Sequence, residues 1–479
     1  MATRRATKIV ATLGPASSDP QLLEAMIRAG VNVVRLNFSH GKAQDHIDRA
    51  ATVRAAAQRA GREVAIMADL QGPKIRVGKF ADGKVFLEPG AKFVLDASRT
   101  EPGDINGVGL DYKELPRDVK AADLLLLNDG LIVLTVDAVR GEEVHTTVKL
   151  GGELSNNKGI NKQGGGLTAP ALTAKDMEDI RTAMSFQADY VAVSFPKNAT
   201  DMEMARQLCN VAAAEYRHKP GLIAKIERAE AIPHLEAILR ASDGIMVARG
   251  DLAVEVGNAA VPALQKKMIR MARDMDKVVI TATQMMESMI TNPVPTRAEV
   301  SDVANAVLDG TDAVMCSAET AVGAYPFETV RQMAVICAAA EAEQDSLNGV
   351  DESHQEAAVN TNLAIASGAV HVARAIDATA IVALTESGGT AFEISRHSIQ
   401  LPIYAFTPSI SAQRRMAMYR GVRPLMLATS CDHDTALNEV ESMLVERKVL
   451  KSGEQYIVTS GSRMRESGST DMLQVVKVR

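Results

Sequence analysis

KIVATLG (residues 8–14) opens a series of eight short runs rich in β-branched residues, and this series decides the fold. The other seven are NVVRLNFS (32–39), VAIMADL (64–70), YVAVSF (190–195), GLIAKIE (221–227), GIMVARG (244–250), VVITA (278–282) and AVMCS (313–317). Most are separated by segments with apolar residues at helical spacing, such as PQLLEAMIRAG (20–30). Alternating strands and helices imply parallel pairing. Eight such units predict an α/β fold of the (β/α)8 TIM-barrel type, with a doubly wound open sheet as the alternative.

Residues 71–170 separate the third run from the fourth, and this interval is too long for one helix. Its texture is that of alternating strands and glycine-rich turns, with a hairpin in LLLLNDGLIVLTV (124–136). We therefore predict an all-β domain inserted after the third barrel strand. Such an insertion lies on the catalytic face of a barrel, where a lid belongs.

The polar stretch DSLNGVDESHQE (345–356) is typical of a linker. Four strand-like runs follow it, at 379–385, 402–407, 423–428 and 455–460. They predict a separate C-terminal α/β domain. The resulting division is a barrel of residues 1–70 and 171–345, a lid of 71–170, and a C-terminal domain of 346–479.

Composition excludes several classes of protein. The net charge of −6 argues against a nucleic-acid-binding protein, which would show a basic face. No apolar run approaches the roughly 20 residues that span a bilayer, and the N-terminus has no signal-peptide core. The four cysteines form no CxxC pair, so reduced thiols in a cytoplasmic protein are expected.

Polar residues gather where the predicted barrel strands end. Lys225 and Glu227 share one face of the fifth strand, and Asp251 follows the sixth. Two carboxylates suit Mg²⁺, which leaves its other positions to water and phosphate. A structural ion pair is the alternative for Lys225 and Glu227. On the second strand Arg35, Asn37 and Ser39 share a face, and a solvated, hydrogen-bonded rim is the alternative there. These residues alone predict a barrel enzyme with a lid, a divalent metal and cations for a phosphorylated acid.

Several long blocks of the sequence resemble the pyruvate kinase family. They are TKIVATLGPAS (7–17), NVVRLNFSHG (32–41), NNKGIN (156–161), AKIERAEAI (224–232), MVARGDLAVE (246–255), TATQMMESM (281–289) and PTRAEVSDVANAVLDGTDAVMCSAET (295–320). They follow one another in order through nearly the whole chain, although the C-terminal domain resembles the family's regulatory domain more loosely. The resemblance implies a glycolytic phosphotransferase that moves the phosphoryl group of phosphoenolpyruvate to ADP, giving pyruvate and ATP.

The resemblance also implies roles for individual residues. Arg35 and Lys225 would hold the phosphoryl group, and Lys225 would neutralise its charge during transfer. The backbone N–H groups of Gly250 and Asp251, together with the Thr283 hydroxyl, would bind the substrate carboxylate. Thr283 and ordered water would protonate the enolate.

The remaining implied roles concern the metal, the nucleotide and a monovalent cation. Mg²⁺ or Mn²⁺ would be held by Glu227 and Asp251. The residues facing the nucleotide would be Asn37, His40, Arg76 and Lys158, with Arg76 at the lid hinge. The cation pocket would be formed by Asn37, Ser39 and Asp69.

Lys74 departs from the pattern of the many family members that need K⁺, because these resemble one another in carrying Glu at this position. They also carry Thr or Lys where this chain has Leu70 and Gln71. The Lys74 ammonium could replace K⁺ beside the substrate phosphate, so we predict that K⁺ is not required. The alternative is that Lys74 points to solvent.

In the C-terminal domain, the segment TESGGT (385–390) follows a strand and opens a helix, so its N–H groups could bind a phosphorylated activator. The candidate effector residues are Thr385, Ser387, Gly388 and Thr390. Gly389 replaces a basic residue common in such loops, and a plain strand-to-helix turn is the alternative. The resemblance further implies a homotetramer.

Two other functions compete with this interpretation. One is a metal-dependent aldolase or lyase barrel, against which the inserted lid argues. The other is a metabolite sensor without catalysis, which would be expected to have lost Lys225 or a metal carboxylate, yet all are present.

Overall fold

A computed structural model describes residues 5–216, 218–347, 360–397, 399–427, 433–462 and 468–479. Eight parallel strands close into a barrel, which confirms the predicted fold class. The barrel strands are β1 (Lys8–Thr12), β2 (Val33–Asn37), β3 (Ala65–Asp69), β12 (Tyr190–Val193), β13 (Gly221–Ile226), β14 (Gly244–Ala248), β15 (Val278–Ala282) and β16 (Ala313–Cys316). The open-sheet alternative is excluded because β1 pairs with both β2 and β16.

Helices surround the barrel. They are α1 (Pro20–Ala29), α2 (Ala43–Ala60), α4 (Ala174–Ser185), α5 (Ala199–Ala213), α6 (Leu235–Ala241), α7 (Arg249–Val256), α8 (Val261–Asp274), α9 (Arg297–Leu308), α10 (Ala318–Ala321) and α11 (Pro326–Leu347). The sequence sets their ends: Asp19 caps α1 by accepting a hydrogen bond from the Leu22 N–H at 2.7 Å, and Gly30 ends it with φ 139°.

Alternation along the strands divides the buried residues into two layers. Leu36 and Ile66 pack outward against the helices, whereas Val33 and Met67 point into the barrel. The inward face ends in polar residues at the carboxyl ends of the strands. The fold therefore places those side chains together at one mouth of the barrel.

The lid leaves the barrel after β3 and returns before α4. Its elements are β4 (Lys84–Leu87), β5 (Lys92–Asp96), β6 (Gly107–Gly109), α3 (Leu115–Asp118), β7 (Leu124–Leu127), β8 (Ile132–Arg140), β9 (Glu143–Leu150), β10 (Gly152–Ser155) and β11 (Ile160–Lys162). They form a six-stranded and a two-stranded sheet around a separate apolar core. The β7–β8 hairpin is the one predicted at 124–136. The short helix α3 was not predicted.

The C-terminal domain is a five-stranded sheet with helices. Its elements are α12 (Thr361–Ala375), β17 (Ile381–Leu384), α13 (Gly389–Arg396), β18 (Ile403–Thr407), α14 (Ile410–Met416), β19 (Val422–Met426), α15 (His433–Glu446), β20 (Gln455–Gly461) and β21 (Thr470–Lys477). The four predicted strands are present, and the antiparallel edge strand β21 was missed. Part of the predicted linker is helical, because α11 continues to Leu347, while residues 348–356 lie outside the described residues.

The C-terminal domain covers the end of the barrel at which the strands begin. Ala417 and Met418 join the apolar cluster of the barrel interior. Arg396 forms a buried ion pair with Asp312, which directly precedes β16. Lys8, at the start of β1, donates to the Val422 carbonyl oxygen at 2.5 Å. This end of the barrel, called the base below, is therefore closed by the C-terminal domain.

Candidate active site

The predicted residues of β2, β3 and β13 meet at the barrel mouth. Asp69 is fully buried at the end of β3, and its carboxylate accepts from Arg35 Nε at 2.5 Å. Lys225 Nζ lies 3.2 Å from the other oxygen of Asp69 and 2.9 Å from Glu227 Oε1. Two cations and two carboxylates thus form one buried network. Arg35 is largely buried, and its bond to Asp69 is the internal hydrogen bonding that the rim alternative also allows.

The network fixes the charges of Lys225 and Asp69. Burial alone would lower the pKa of Lys225, but Asp69 and Glu227 raise it to about 12. Burial would likewise raise the pKa of Asp69, but the charges of Arg35 and Lys225 lower it. Lys225 is therefore a permanent cation at neutral pH, and Asp69 a permanent anion.

Glu227 behaves differently from Asp69. Burial raises its pKa to about 7; the Lys225 charge opposes the rise, and the Asp251 charge adds to it. Its Oε2 atom accepts from the Phe195 N–H at 2.9 Å. The Glu227 carboxylate is thus held in place, with an affinity for positive charge that Lys225 alone does not satisfy.

Glu227 and Asp251 fit a divalent cation. Asp251 lies in the first turn of α7, and its negative charge disfavours ionisation of Glu227, a repulsion that a cation would reverse. Within the described residues, no group of three or more His, Cys, Asp or Glu side chains could hold a metal ion alone. Two carboxylates suit Mg²⁺, whose remaining positions go to water and phosphate oxygens.

Thr283 follows β15 in a strained conformation. Its φ of 65° and that of Gln284, 53°, lie in the left-handed region, which is unusual for a β-branched residue. Its hydroxyl donates to the Ala282 carbonyl at 2.7 Å and accepts from the Gly250 N–H at 2.8 Å. Strand β15 and the start of α7 are thereby joined at the position predicted to hold a carboxylate.

Three residues that support the site were not identified from the sequence. Lys225 Nζ donates to Ser194 Oγ at 2.7 Å, and Phe195, with φ 56°, aims its N–H at Glu227. Arg249 donates to the Thr283 carbonyl at 2.6 Å and pairs with Asp302 at 2.7 Å. Ser194 and Phe195 end the fourth strand-like run, so the strand-end rule applied to the other strands would have found them.

The other predicted residues lie around the mouth and in the lid. Asn37 accepts from the Ser39 N–H at 3.1 Å in the turn after β2, where His40 is exposed. Arg76 pairs with Gly159 through an isolated β-bridge where the chain enters the lid, and its backbone N–H donates to Asp111 at 2.7 Å. The Lys158 carbonyl accepts from the Val77 N–H at 2.9 Å. None of these contacts joins the lid cations to the buried network.

Glycines mark both passages between barrel and lid. Gly72 has φ 65°, and a Cβ there would lie 2.8 Å from that of Ser194. On the return, Gly164, Gly165 and Gly166 all have positive φ, a conformation that glycine adopts without strain. The Gly166 N–H donates to Glu230 Oε1 at 2.5 Å. Lys74, close to the first passage, is exposed.

The effector candidates lie after β17 and at the start of α13, and Thr390 is within the first turn of that helix. Gly388 has φ 92°, and its N–H donates to Thr385 Oγ1 at 3.0 Å. Thr390 Oγ1 is 2.5 Å from Thr470 Oγ1 on β21. Ser387 also has a partner. The loop is therefore held by its own contacts, as both the effector-site and the plain-turn interpretations allow.

A barrel with a lid and a mouth that holds two buried cations among carboxylates fits an enzyme that acts on a phosphorylated acid. Comparison with known proteins gives the family. A model of the pyruvate kinase barrel domain matches residues 4–330, and one of the pyruvate kinase alpha/beta domain matches 363–476.

Individual relatives agree along the whole chain. It is 51% identical to pyruvate kinase II of Salmonella typhimurium and 49% identical to a pyruvate kinase of Buchnera aphidicola, with 99% of both chains covered in each case. A crystal structure of a pyruvate kinase from Cryptosporidium parvum superposes with a TM-score of 0.94 at 33% identity, covering 100% of this chain and 97% of that one.

The chain belongs to the pyruvate kinase family. Its activity is that of a phosphotransferase, transfer of the phosphoryl group of phosphoenolpyruvate to ADP with release of pyruvate and ATP. None of the described helices has the length and apolarity of a membrane span.

Proposed function

We propose that the barrel mouth performs this transfer with Lys225 as its central electrostatic group. The observation that carries the proposal is the position of Lys225 Nζ, bound to Glu227, Asp69 and Ser194 while its pKa is raised to about 12. A fixed cation in a buried site stabilises negative charge with little reorganisation. Phosphoryl transfer needs such positioning and charge stabilisation more than covalent chemistry.

Arg35 is the second cation of the proposed phosphoryl site. Its Nε is committed to Asp69 and one Nη donates to Thr12 Oγ1 at 3.1 Å, which fixes the plane of the guanidinium. The other Nη remains for a phosphoryl oxygen. Arg35 therefore orients the group, whereas Lys225 offsets its charge.

The substrate carboxylate is proposed to bind at the start of α7. The N–H groups of Gly250 and Asp251 lie in its first turn, where the helix favours an anion. The Gly250 N–H donates to Thr283 Oγ1 before substrate binds. Binding would exchange this bond for one to the carboxylate. We propose the Thr283 hydroxyl, whose proton would turn from the Ala282 carbonyl toward the substrate, as a proton donor to the enolate together with water.

Glu227 and Asp251 are the proposed ligands of Mg²⁺ or Mn²⁺. When bound, a divalent cation supplies positive charge that draws the carboxylate and phosphate oxygens of the substrate together. The chain's own part is to hold the Glu227 carboxylate in position, which the Phe195 N–H and Lys225 do, while the Lys225 charge partly opposes the rise in the pKa of Glu227.

The lid is proposed to bring the nucleotide to the mouth. Asn37, His40 and Arg76 would face ADP from the barrel rim and the hinge, and Lys158 would arrive as the lid closes. Closure would exclude water, which competes with ADP for the phosphoryl group. The glycines at both passages give the backbone freedom for this movement.

We further propose that Lys74 replaces a monovalent cation. In family members that need K⁺, Asn37, Ser39 and Asp69 would help to bind it. Here Asp69 is already neutralised by Arg35 and Lys225, so its field for K⁺ is weak. Lys74 is exposed beside the lid, its Cε 3.8 Å from where a Cβ of Gly159 would lie. Lid closure would carry the ammonium toward the phosphate.

Three finer points complete the proposal. The domain division at residues 70, 170 and 345 describes units that move as bodies. The chain forms a homotetramer in the cytoplasm, for which exposed Val294 and Val322 (59% and 62%) offer apolar surface. Light scattering that found a stable monomer at assay concentrations would contradict the homotetramer.

We also propose that a phosphorylated activator binds at Thr385, Ser387, Gly388 and Thr390.

A coupled assay tests the function directly. With phosphoenolpyruvate, Mg²⁺ and lactate dehydrogenase, NADH oxidation should depend on ADP and stop when ADP is omitted. Pyruvate formation that did not need ADP would indicate a lyase, and an absence of turnover would indicate a sensor. Lys267→Met, an exposed change on α8, is the control for preparation quality.

A further inference from the structure

A cleft lies at the base of the barrel, on the opposite side from the mouth. Its volume is about 310 Å³, within the range of roughly 300–1,000 Å³ that small-molecule sites occupy. The lining residues are Arg206, Asn210, Lys219, Pro220, Asp243 and Arg415. None of them takes part in the proposed transfer.

Four chain segments build this cleft. Arg206 and Asn210 lie one turn apart on α5. Lys219 and Asp243 precede β13 and β14, respectively. Arg415 comes from α14 of the C-terminal domain, so the cleft is shared between the two domains.

The charges in the cleft do not balance. Its only lining carboxylate among the described residues, Asp243, accepts from Arg206 at 2.7 Å and from the Leu222 N–H at 2.6 Å. This pair neutralises one of three cations. The positive charges of Lys219 and Arg415 remain, and they face the same space.

Arg415 is held in place without being satisfied. The Tyr190 hydroxyl donates to its carbonyl oxygen at 2.7 Å, which fixes its backbone to the start of β12. Its Nε atom is buried, yet no described residue accepts a hydrogen bond from it. A buried charged donor without an acceptor is destabilising, so the charge of Arg415 is not satisfied within the described part of the chain.

From this geometry we infer that the cleft is a second anion site, which binds a small phosphate-bearing ligand between barrel and C-terminal domain. Lys219 and Arg415 bind the phosphate group, and the Asn210 amide and Pro220 carbonyl can bind hydroxyl groups of an attached organic part. The ligand stabilises the junction of the two domains, since it binds residues from both. The site is separate from the loop at 385–390.

Calorimetry at constant ionic strength tests the inference, with inorganic phosphate, ribose 5-phosphate and AMP as probes and phosphoenolpyruvate saturating the mouth. The double variant Lys219→Gln, Arg415→Gln is compared with Lys267→Gln, Arg270→Gln, which removes two exposed positive charges from α8. We expect at least one probe to bind the control and to bind the cleft variant at least tenfold more weakly. Preference for phosphate itself or for an organic phosphate then identifies the source.

Equal affinity of all probes for both double variants, or no binding to either, would overturn the inference. A single change guards against misfolding of the cleft variant. Asn210 is exposed on α5, so Asn210→Lys should leave the fold intact and tighten binding of the same probe at least threefold. An unchanged affinity in this variant would also count against the site.

Discussion

The two ends of the barrel carry similar charged residues with different partners. At the base, Arg396 and Asp312 neutralise each other, and Arg420 donates to Thr7 Oγ1 and to the Thr311 carbonyl, at 2.7 and 2.9 Å. At the mouth, burial raises the pKa of Glu227 to about 7, the charges of Asp251 and Asp69 add to the rise, and the Lys225 charge opposes it. These contacts of the base are satisfied within the chain, unlike the cleft lined by Lys219 and Arg415, whereas the mouth is complete only with its ligands. The comparison teaches that satisfaction of charge, rather than its presence, separates a structural end from a catalytic one.

The largest effect should come from the mouth. Lys225→Met removes the cation that offsets the transferring group, and we expect kcat to fall at least ~10³-fold, about 4 kcal/mol. Circular dichroism should show that the variant remains folded, and Lys267→Met is the matched control for loss of a lysine charge. Near-normal turnover would remove Lys225 from the mechanism.

At the base the same kind of change should affect stability instead. Arg396→Gln leaves Asp312 buried with part of its compensation lost, and breaking such a pair destabilises by about 3–4 kcal/mol. Activity per folded molecule should stay within twofold. Arg414→Gln, which breaks a more exposed interdomain pair with Glu63 (3.2 Å), should lose under ~1 kcal/mol in urea unfolding. Equal losses in the two variants would contradict the comparison.

Glu255, beside the glycine-rich passage from the lid back to the barrel, should make the free energy of unfolding depend on pH. Burial raises its pKa to about 7, from 4.5. Because the folded state then binds the proton more tightly, stability from this group falls as pH rises from about 4.5 to 7, by up to about 3 kcal/mol. Glu255→Gln should flatten the curve of unfolding free energy against pH, while it keeps the acceptor for the Ala229 N–H. A slope unchanged by the substitution would refute the assignment.

The metal ligands should show a smaller, specific effect. Glu227→Gln and Asp251→Asn each remove one negative charge, and we expect the Mg²⁺ concentration for half-maximal rate to rise at least tenfold. Glu319→Gln is the control. This buried carboxylate is not one of the proposed metal ligands, and it accepts from the Ser317 N–H at 2.6 Å. Unchanged metal dependence in both ligand variants would show that the assignment is wrong.

The sequence predicted the eight barrel strands because parallel strands buried on both sides are continuous apolar runs. It also predicted that Lys225 and Glu227 lie on one face, since they are two residues apart, and named an ion pair between them only as the alternative. It did not predict that Asp69 lies between Arg35 and Lys225, which depends on closure of the barrel. The strained φ of Thr283 and the support from Arg249 were also missed, because a side chain's partners across the barrel leave no local pattern. Strand β21 was missed because it is an edge strand of mixed polarity, which lacks the continuous apolar run of a buried strand.

The smallest predicted effect concerns K⁺ and tests the mouth at its rim. Asp69 is fully buried and neutralised by Arg35 and Lys225, so little negative field remains for a monovalent cation. Lys74, where the family resemblance implies Glu in K⁺-requiring members, would add a covalent positive charge at the lid passage. Omission of K⁺ in tetramethylammonium or Tris buffer should therefore reduce the rate less than about threefold, under ~1 kcal/mol.

Lys74→Glu should make the enzyme K⁺-responsive, because it restores an acidic group and removes the competing ammonium. Lys79→Glu, an exposed change five residues further along the lid, has the same charge difference and should leave the K⁺ response unaltered. A wild-type enzyme nearly inactive without K⁺ would refute the substitution argument. A wild-type enzyme indifferent to K⁺, with a Lys74→Glu variant equally indifferent, would place Lys74 in solvent and leave neutralisation of Asp69 by Arg35 and Lys225 as the reason that no cation is needed.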